Sequence, residues 1–376
     1  MSRARDFADL AGSADAGGIS GKNLLINGSM AISQRGASLA VAHDGVTGGY
    51  LIDRWLNALG GTHEQLDATY AQVADHPLSA NGKSLKWTTG TAESSYDADE
   101  YLYFAQKVEA QNLQHLNYGN SNAQSVTLSF YVKSSVTGTF ACNLYKEDST
   151  ARIINKTYTI SSANTWEKKS ITFPADTGGG GIDNNTGVGL FVTWHLAAGA
   201  NAKGGGSNGA WKNYGGLSDW ADGQATNAVA TTASATWQIT DCQLEVGQQA
   251  TPFEHRSYGD ELQRCKRFLH RLESPDTTSG AFANLTGWDT SNVYGSVRFP
   301  VEMRAAPTVA YGAALSDFLI LSAGANFAPT SIQLQGSNKF GVELNMVSTS
   351  NTVAGRSYWT RISDSTNGFI QFDAEL

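Results

Sequence analysis

A strand turns its side chains to alternate faces, so strict alternation of apolar and polar residues commits a segment to a half-buried sheet. Val126-Thr-Leu-Ser-Phe-Tyr-Val132 alternates in this way, with Val126, Leu128, Phe130 and Val132 on one face. Ser170-Ile-Thr-Phe173 continues the pattern from Trp166. Trp237-Gln-Ile-Thr-Asp-Cys-Gln-Leu244 does the same, slipping once near Asp241. Val188-Gly-Leu-Phe-Val-Thr-Trp194 is apolar on both faces, as expected of a central strand. Between these pieces lie Gly, Asn and Ser turns, Asn27-Gly28 among them. Short strands with such punctuation over residues 23–256 predict an all-β fold, a jelly-roll β-sandwich.

The composition agrees. Charged residues make up 16% of the 376 positions, against roughly 25% in an ordinary globular chain. Glycine, at 40 residues, supplies turns, and nine Trp supply bulk for a core. The formal charge is −8 and no basic run occurs, so the electrostatic footprint of a nucleic-acid binder is missing. The longest greasy run, Phe318–Leu321, is strand-sized, so no membrane insertion by an apolar helix is expected. Met1–Leu10 carries two arginines without a following apolar stretch, unlike a secretory signal. Cys142, Cys242 and Cys265 are odd in number and widely spaced, and read as small buried hydrophobes of a chain made in a reducing cytosol.

Four regions follow along the chain. Residues 1–22 are an N-terminal leader of Ala, Gly, Ser and scattered charge, and residues 23–256 form the sandwich. Residues 257–275 are expected to hold a connecting helix, opened by Ser257-Tyr-Gly-Asp260 and carrying Leu262, Cys265, Phe268, Leu269 and Leu272 at helical spacing. Residues 276–376 form a smaller all-β domain. Within the sandwich, residues 197–236 have little strand pattern, and a loop of that length is functional or a packed ornament.

Several segments resemble a family of bacteriophage tail-fibre and related virion appendage proteins built on a carbohydrate-binding-module-like jelly roll. They begin with Asn23-Leu-Leu-Ile-Asn-Gly28, Gln34-Arg-Gly36 and Tyr50-Leu-Ile-Asp-Arg-Trp55. Val126–Ser135, Asn164–Phe173, Trp237–Gly247, Ala250–Arg256 and Glu261–Phe268 follow in the family's order, then Phe299–Thr308 and the ending Ile370–Leu376. The resemblance implies a structural phage virion protein at the tail or capsid surface, made in the host cytoplasm. It further implies a homotrimer, adhesion to host surface glycans, and attachment to other virion proteins through the leader. A trimer would also bury the apolar patch around Phe268 and Leu269.

A sugar ring presents a C–H face to an aromatic plane, while its hydroxyls need amide or carboxylate partners at the rim. The long loop and the strand before it offer Trp194, Trp211, Tyr214 and Trp220, with Asp219 and Asp222 as rim carboxylates. The alternative is that these aromatics pin the loop to the sheet. Trp55, Trp87, Trp166 and Trp237 lie on strand-like pieces and are expected in the core. No cofactor is expected. Family jelly rolls often hold a structural calcium, but Ser29–Ser33 offers no carboxylate opposite Asp241, so no metal site is expected there. Asp97-Ala-Asp-Glu100 reads as a solvated turn. The seven His form no HExxH pair, and no GxSxG is present, so the chain is not expected to be an enzyme. Two other readings stay open. One is a purely architectural adaptor or decoration protein, and the other is a glycan depolymerase using a carboxylate pair such as Asp219 and Asp222.

Overall fold

The computed structural model describes residues 21–42, 48–274, 280–312, 314–322, 325–349, 351–363 and 368–376. The leader therefore lies, apart from Gly21 and Lys22, outside the described residues. The chain divides into two units between Glu261 and Leu262, with Leu376 belonging to the first.

The first unit is built from strands β1 (Ser38–Val41), β2 (Gly48–Tyr50), β3 (Leu56–Gly60), β4 (Ala68–Val73), β5 (Ser84–Thr89), β6 (Tyr101–Glu109) and β7 (Val126–Ser134). It continues with β8 (Gly138–Lys146), β9 (Arg152–Ile160), β10 (Glu167–Phe173), β11 (Val188–Ala198), β12 (Lys212–Asn213) and β13 (Thr236–Val246). One sheet runs β1-β4-β5-β13-β7-β10 and the other β12-β9-β8-β11-β6-β3-β2, and every pairing is antiparallel. The chain changes sheet at β1–β2, β3–β4, β5–β6, β6–β7, β7–β8, β9–β10, β10–β11 and β12–β13, which is the wiring of a jelly roll. The expected all-β sandwich is the observed fold.

Alternation explains the core. Leu85, Trp87, Leu128, Phe130 and Trp237 of one sheet meet Leu102, Phe104, Leu144 and Trp194 of the other, all with no exposed surface. Phe104 stacks on Trp237 with ring centres 5.8 Å apart, and Phe130 meets Trp194 edge-on at 5.9 Å. Trp55, Trp87 and Trp237 are core residues, as expected. Trp166 is not. It lies beside the edge strand β10, half-buried, where its indole N–H donates to Asp75 Oδ1 at 3.1 Å and the Lys133 ammonium sits 5.0 Å from the ring centre. All three cysteines are free thiols in buried positions.

The slip near Asp241 is a β-bulge. Register jumps between Thr240 and Gln243, and Asp241 takes a left-handed φ of 49°. The bulge is held by the Asn27-Gly28 turn. Cys242 N–H donates to Gly28 O at 2.9 Å, and a Cβ on Gly28 would lie 2.1 Å from Cys242 O. Only glycine fits. Asn27 locks the same turn, its amide donating to Ile32 O (2.7 Å) and Asp53 O (3.0 Å) while Oδ1 accepts from Ile32 N–H. The Asp241 carboxylate faces His76, with Oδ2 3.2 Å from Nε2.

The boundary between the units falls inside a helix, Tyr258–Lys266, whose first turn is capped by Ser257 Oγ accepting from Asp260 N–H at 3.1 Å. The helix is shorter than the 257–275 expected from spacing. Leu269–Glu273 is instead strand β14, paired with the strand Phe369–Asp373 from the end of the chain. A distant partner strand outweighs a short helical repeat. Phe268 and Leu269 are buried, at 1% and 0% exposure, so the apolar patch expected around them is not exposed. The unit's sheets have three and seven strands, around a core of Leu285, Val293, Phe318, Ile320, Leu344 and Tyr358.

Candidate functional site

On the second sheet, the residues that point away from the core are unusually aromatic. In β6, Leu102 and Phe104 face inward, which turns Tyr101 and Tyr103 outward. In β11, Leu190, Val192 and Trp194 face inward, so Phe191 and His195 face outward. Register then brings them together, Phe191 lying opposite Tyr145 of β8 and His195 opposite Tyr103 of β6.

The long loop completes this face by laying Trp220 across it. The indole centre is 5.6 Å from Tyr103, 5.6 Å from Tyr145, 6.1 Å from His195 and 6.3 Å from Phe191, all edge-on. Tyr214 adds a further edge, 5.0 Å from Tyr145 and 6.1 Å from Trp220. Tyr101 stacks on Tyr103 at 5.9 Å. Tyr101, Tyr103, Tyr145, Phe191, Tyr214 and Trp220 are each half-buried. Lys107 extends the face, its ammonium 5.1 Å from the Phe191 ring centre.

The loop is rigidly tied. Asn143 Nδ2 donates to Trp220 O (2.6 Å) and Asn155 Nδ2 to Asp219 O (2.6 Å), so two strand amides grip the backbone beside the indole. Asp219 is fully buried, accepting from Lys212 Nζ (2.7 Å) and Gly215 N–H (2.6 Å). Asp222 accepts from Gly204 N–H (3.0 Å) and Asn208 N–H (2.9 Å). Both carboxylates therefore hold the loop instead of standing at the rim of a sugar site.

Two further corrections follow from burial. Trp194 has no exposed surface, because its place on β11 sends it into the core. Trp211 packs half-buried elsewhere, donating its indole N–H to Pro174 O (2.7 Å) and meeting Tyr118 edge-on at 5.7 Å. It pins the loop. Of the six residues expected to bind sugar, Trp220 and Tyr214 come together. Tyr101, Tyr103, Tyr145 and Phe191 were missed, although the alternating Tyr-Leu-Tyr-Phe of 101–104 carried a signal for two of them. Glu100, expected in a solvated turn, has no exposed surface.

His195 is sealed beneath Trp220, and burial pushes its pKa down from 6.5 to about 3. The Asn143 amide lies 3.0 Å from Nε2, which in the neutral imidazole can accept. Between those two pH values the unfolded chain binds a proton that the folded chain refuses, so stability is full above pH 6.5 and falls toward pH 3. The expected contribution is about 1.4 kcal/mol per pH unit. His195→Gln should flatten the pH dependence of the urea midpoint by that slope, measured between neutral and mildly acidic buffers. An unchanged slope would refute the assignment.

No protein-family model matches the chain, and no curated protein matches it in sequence. Solved structures do match part of the chain. The enzymatically active domain of tailspike protein 4 from bacteriophage CBA120 is 13% identical, with a TM-score of 0.33, over 60% of this chain and 21% of that one. The chain thus spans about a fifth of that tailspike chain. The family 11 carbohydrate-binding module from Clostridium thermocellum, in complex with a β-1,3-1,4-mixed-linked tetrasaccharide, is 11% identical, with a TM-score of 0.26, over 56% of this chain and 95% of the module. The CBM22-2 xylan-binding domain from Paenibacillus barcinonensis is 16% identical, with a TM-score of 0.28, over 56% of this chain and 99% of that domain.

Proposed function

We propose that this chain is a structural protein of a bacteriophage virion, a short tail fibre or related appendage, that adheres to host surface glycans through the outer aromatic face of its sandwich. The observation that carries the reading is the group of six half-buried aromatics on one sheet face, four tyrosines among them. Aromatic planes suit the C–H faces of sugar rings, and phenolic hydroxyls suit their polar edges. The face works by contact: Asp219 and Asp222 are both committed to the loop, so the nearest carboxylate candidates supply no acid–base pair. The motif series from Asn23 to Leu376 supports placing the chain on a virion, as a homotrimer joined to other virion proteins by its leader. Weak single sites then act together, and avidity multiplies affinity by roughly 10²–10⁴.

The test is a bacterial glycan array probed with the full chain displayed multivalently, followed by tryptophan fluorescence titration with each hit. Binding that perturbs indole emission is expected. Failure to bind any glycan at high avidity would leave the architectural role. Shortened host capsule or lipopolysaccharide chains after incubation would instead make the chain a depolymerase.

A further inference from the structure

Three side chains meet in the first unit, outside the aromatic face. His63 follows β3, Glu93 follows β5 and Glu100 immediately precedes β6. Their exposures are 8%, 2% and 0%. His63 Nδ1 lies 3.6 Å from Glu93 Oε1 and 3.6 Å from Glu100 Oε1, and one donor atom from each residue falls within 4.8 Å of the others.

Backbone amides aim both carboxylates. Glu93 Oε1 accepts from Gln65 N–H (3.2 Å) and Leu66 N–H (3.0 Å), and Glu100 Oε2 accepts from Asp97 N–H (2.8 Å). Yet Glu93 Oε2, Glu100 Oε1 and both ring nitrogens of His63 are buried without a hydrogen-bond partner among the described residues. The Tyr96 hydroxyl is in the same position, and its ring meets His63 edge-on at 5.7 Å. Polar atoms sealed from water with nothing to bind are costly, and several around one point call for a missing partner.

We propose that His63, Glu93 and Glu100 bind a divalent transition metal, with zinc the ion that fits, and so staple three segments at the strand ends of β3, β5 and β6, from both sheets. Zinc takes imidazole nitrogen and carboxylate oxygen at about 2.0–2.2 Å in a tetrahedron, which sets neighbouring donors roughly 3.3–3.5 Å apart. The 3.6 Å separations need only slight contraction. Calcium prefers six to eight oxygen ligands, which a histidine-centred trio does not provide. A dication also cancels the two carboxylate charges. Their proximity is costly without it, since both carboxylates are buried, at 2% and 0% exposure. The fourth position is left to Tyr96 or a water. Because Glu100 adjoins Tyr101, the metal would fix the start of the strand that carries Tyr101 and Tyr103.

The experiment uses the full chain, stripped with chelator, dialysed against zinc and assayed for metal by mass spectrometry, with calorimetric titration and thermal scans. One zinc per chain is expected. Zinc at about 100 times its Kd should raise the midpoint of the first unit by roughly 5–10 °C, and chelator should reverse the shift. His63→Gln and Glu100→Gln should each weaken zinc at least about tenfold and abolish the thermal shift while far-UV dichroism is unchanged. Should a variant fail to fold, cobalt in the wild-type chain gives an independent readout through the intense visible absorption of a tetrahedral site. No retained zinc, equal binding by both variants, preference for calcium, or a weak octahedral cobalt spectrum would each overturn the proposal.

Discussion

Replacing Trp194 by alanine is expected to lower the stability of the first unit by about 3–5 kcal/mol while leaving the glycan-facing surface in place. The indole is completely buried, 5.2 Å from the Trp55 ring and 5.9 Å from Phe130, at the centre of the two-sheet core. Truncation forfeits a large transfer term and leaves a cavity that neighbouring aromatic rings cannot fill, since rigid planes collapse poorly. For a unit of this size the thermal midpoint should fall by roughly 6–20 °C. Trp194→Phe keeps most of the volume and should recover more than half of the loss. Urea titration and calorimetry measure both variants, and glycan affinity below the midpoint should stay within about twofold of wild type. A loss under about 1 kcal/mol, or a folded protein with impaired binding, would return Trp194 to the surface.

The difference between Trp194 and Trp220 shows what the sequence carries and what it does not. Alternation over Val126–Val132 and Trp237–Leu244 is a local property, and it predicted sheets and the inward face, while its slip near Asp241 is where the bulge lies. Trp194 was drawn toward the site by its nearness to the loop, yet strand parity decided its direction: Leu190 and Val192 face inward, so Trp194 must as well. Which outward aromatics become neighbours is a different kind of information. Tyr103 meets His195, and Tyr145 meets Phe191, by strand pairing across residues far apart in the chain, and no single-chain pattern encodes that register. The loop acids misled for a related reason. An Asp beside a Trp suggests a sugar contact, but Asp219 and Asp222 sit where unpaired backbone N–H groups of a glycine-rich loop required acceptors. Glu100 was likewise misread because its partners, His63 and Glu93, come from two other loops. The helix at 258–266 stopped early because the last strand of the chain captured Leu269–Glu273.

Trp220→Ala carries the largest expected effect on binding. The indole lies partly exposed over Tyr103, Tyr145 and Phe191, so it touches strands β6, β8 and β11 together. A central aromatic of this kind behaves as a hot spot, whose truncation costs about 2 kcal/mol or more, or roughly 30-fold in Kd for a single site. Folding should suffer less, by about 1–2 kcal/mol, because the ring is only partly buried and the loop remains held by Asn143, Asn155 and Asp219. In multivalent display the deficit compounds, since avidity scales with the strength of each contact it links. Trp211→Ala is the matched control: it removes an indole of equal size and its hydrogen bond to Pro174, and should reduce stability while leaving affinity intact. Titration calorimetry on a glycan selected by array, with phage adsorption as the multivalent readout, separates the two variants. Equal affinities for wild type and Trp220→Ala would mean that sugars do not lie on this face, and Trp220 would then be what Trp211 is, a pin for the loop.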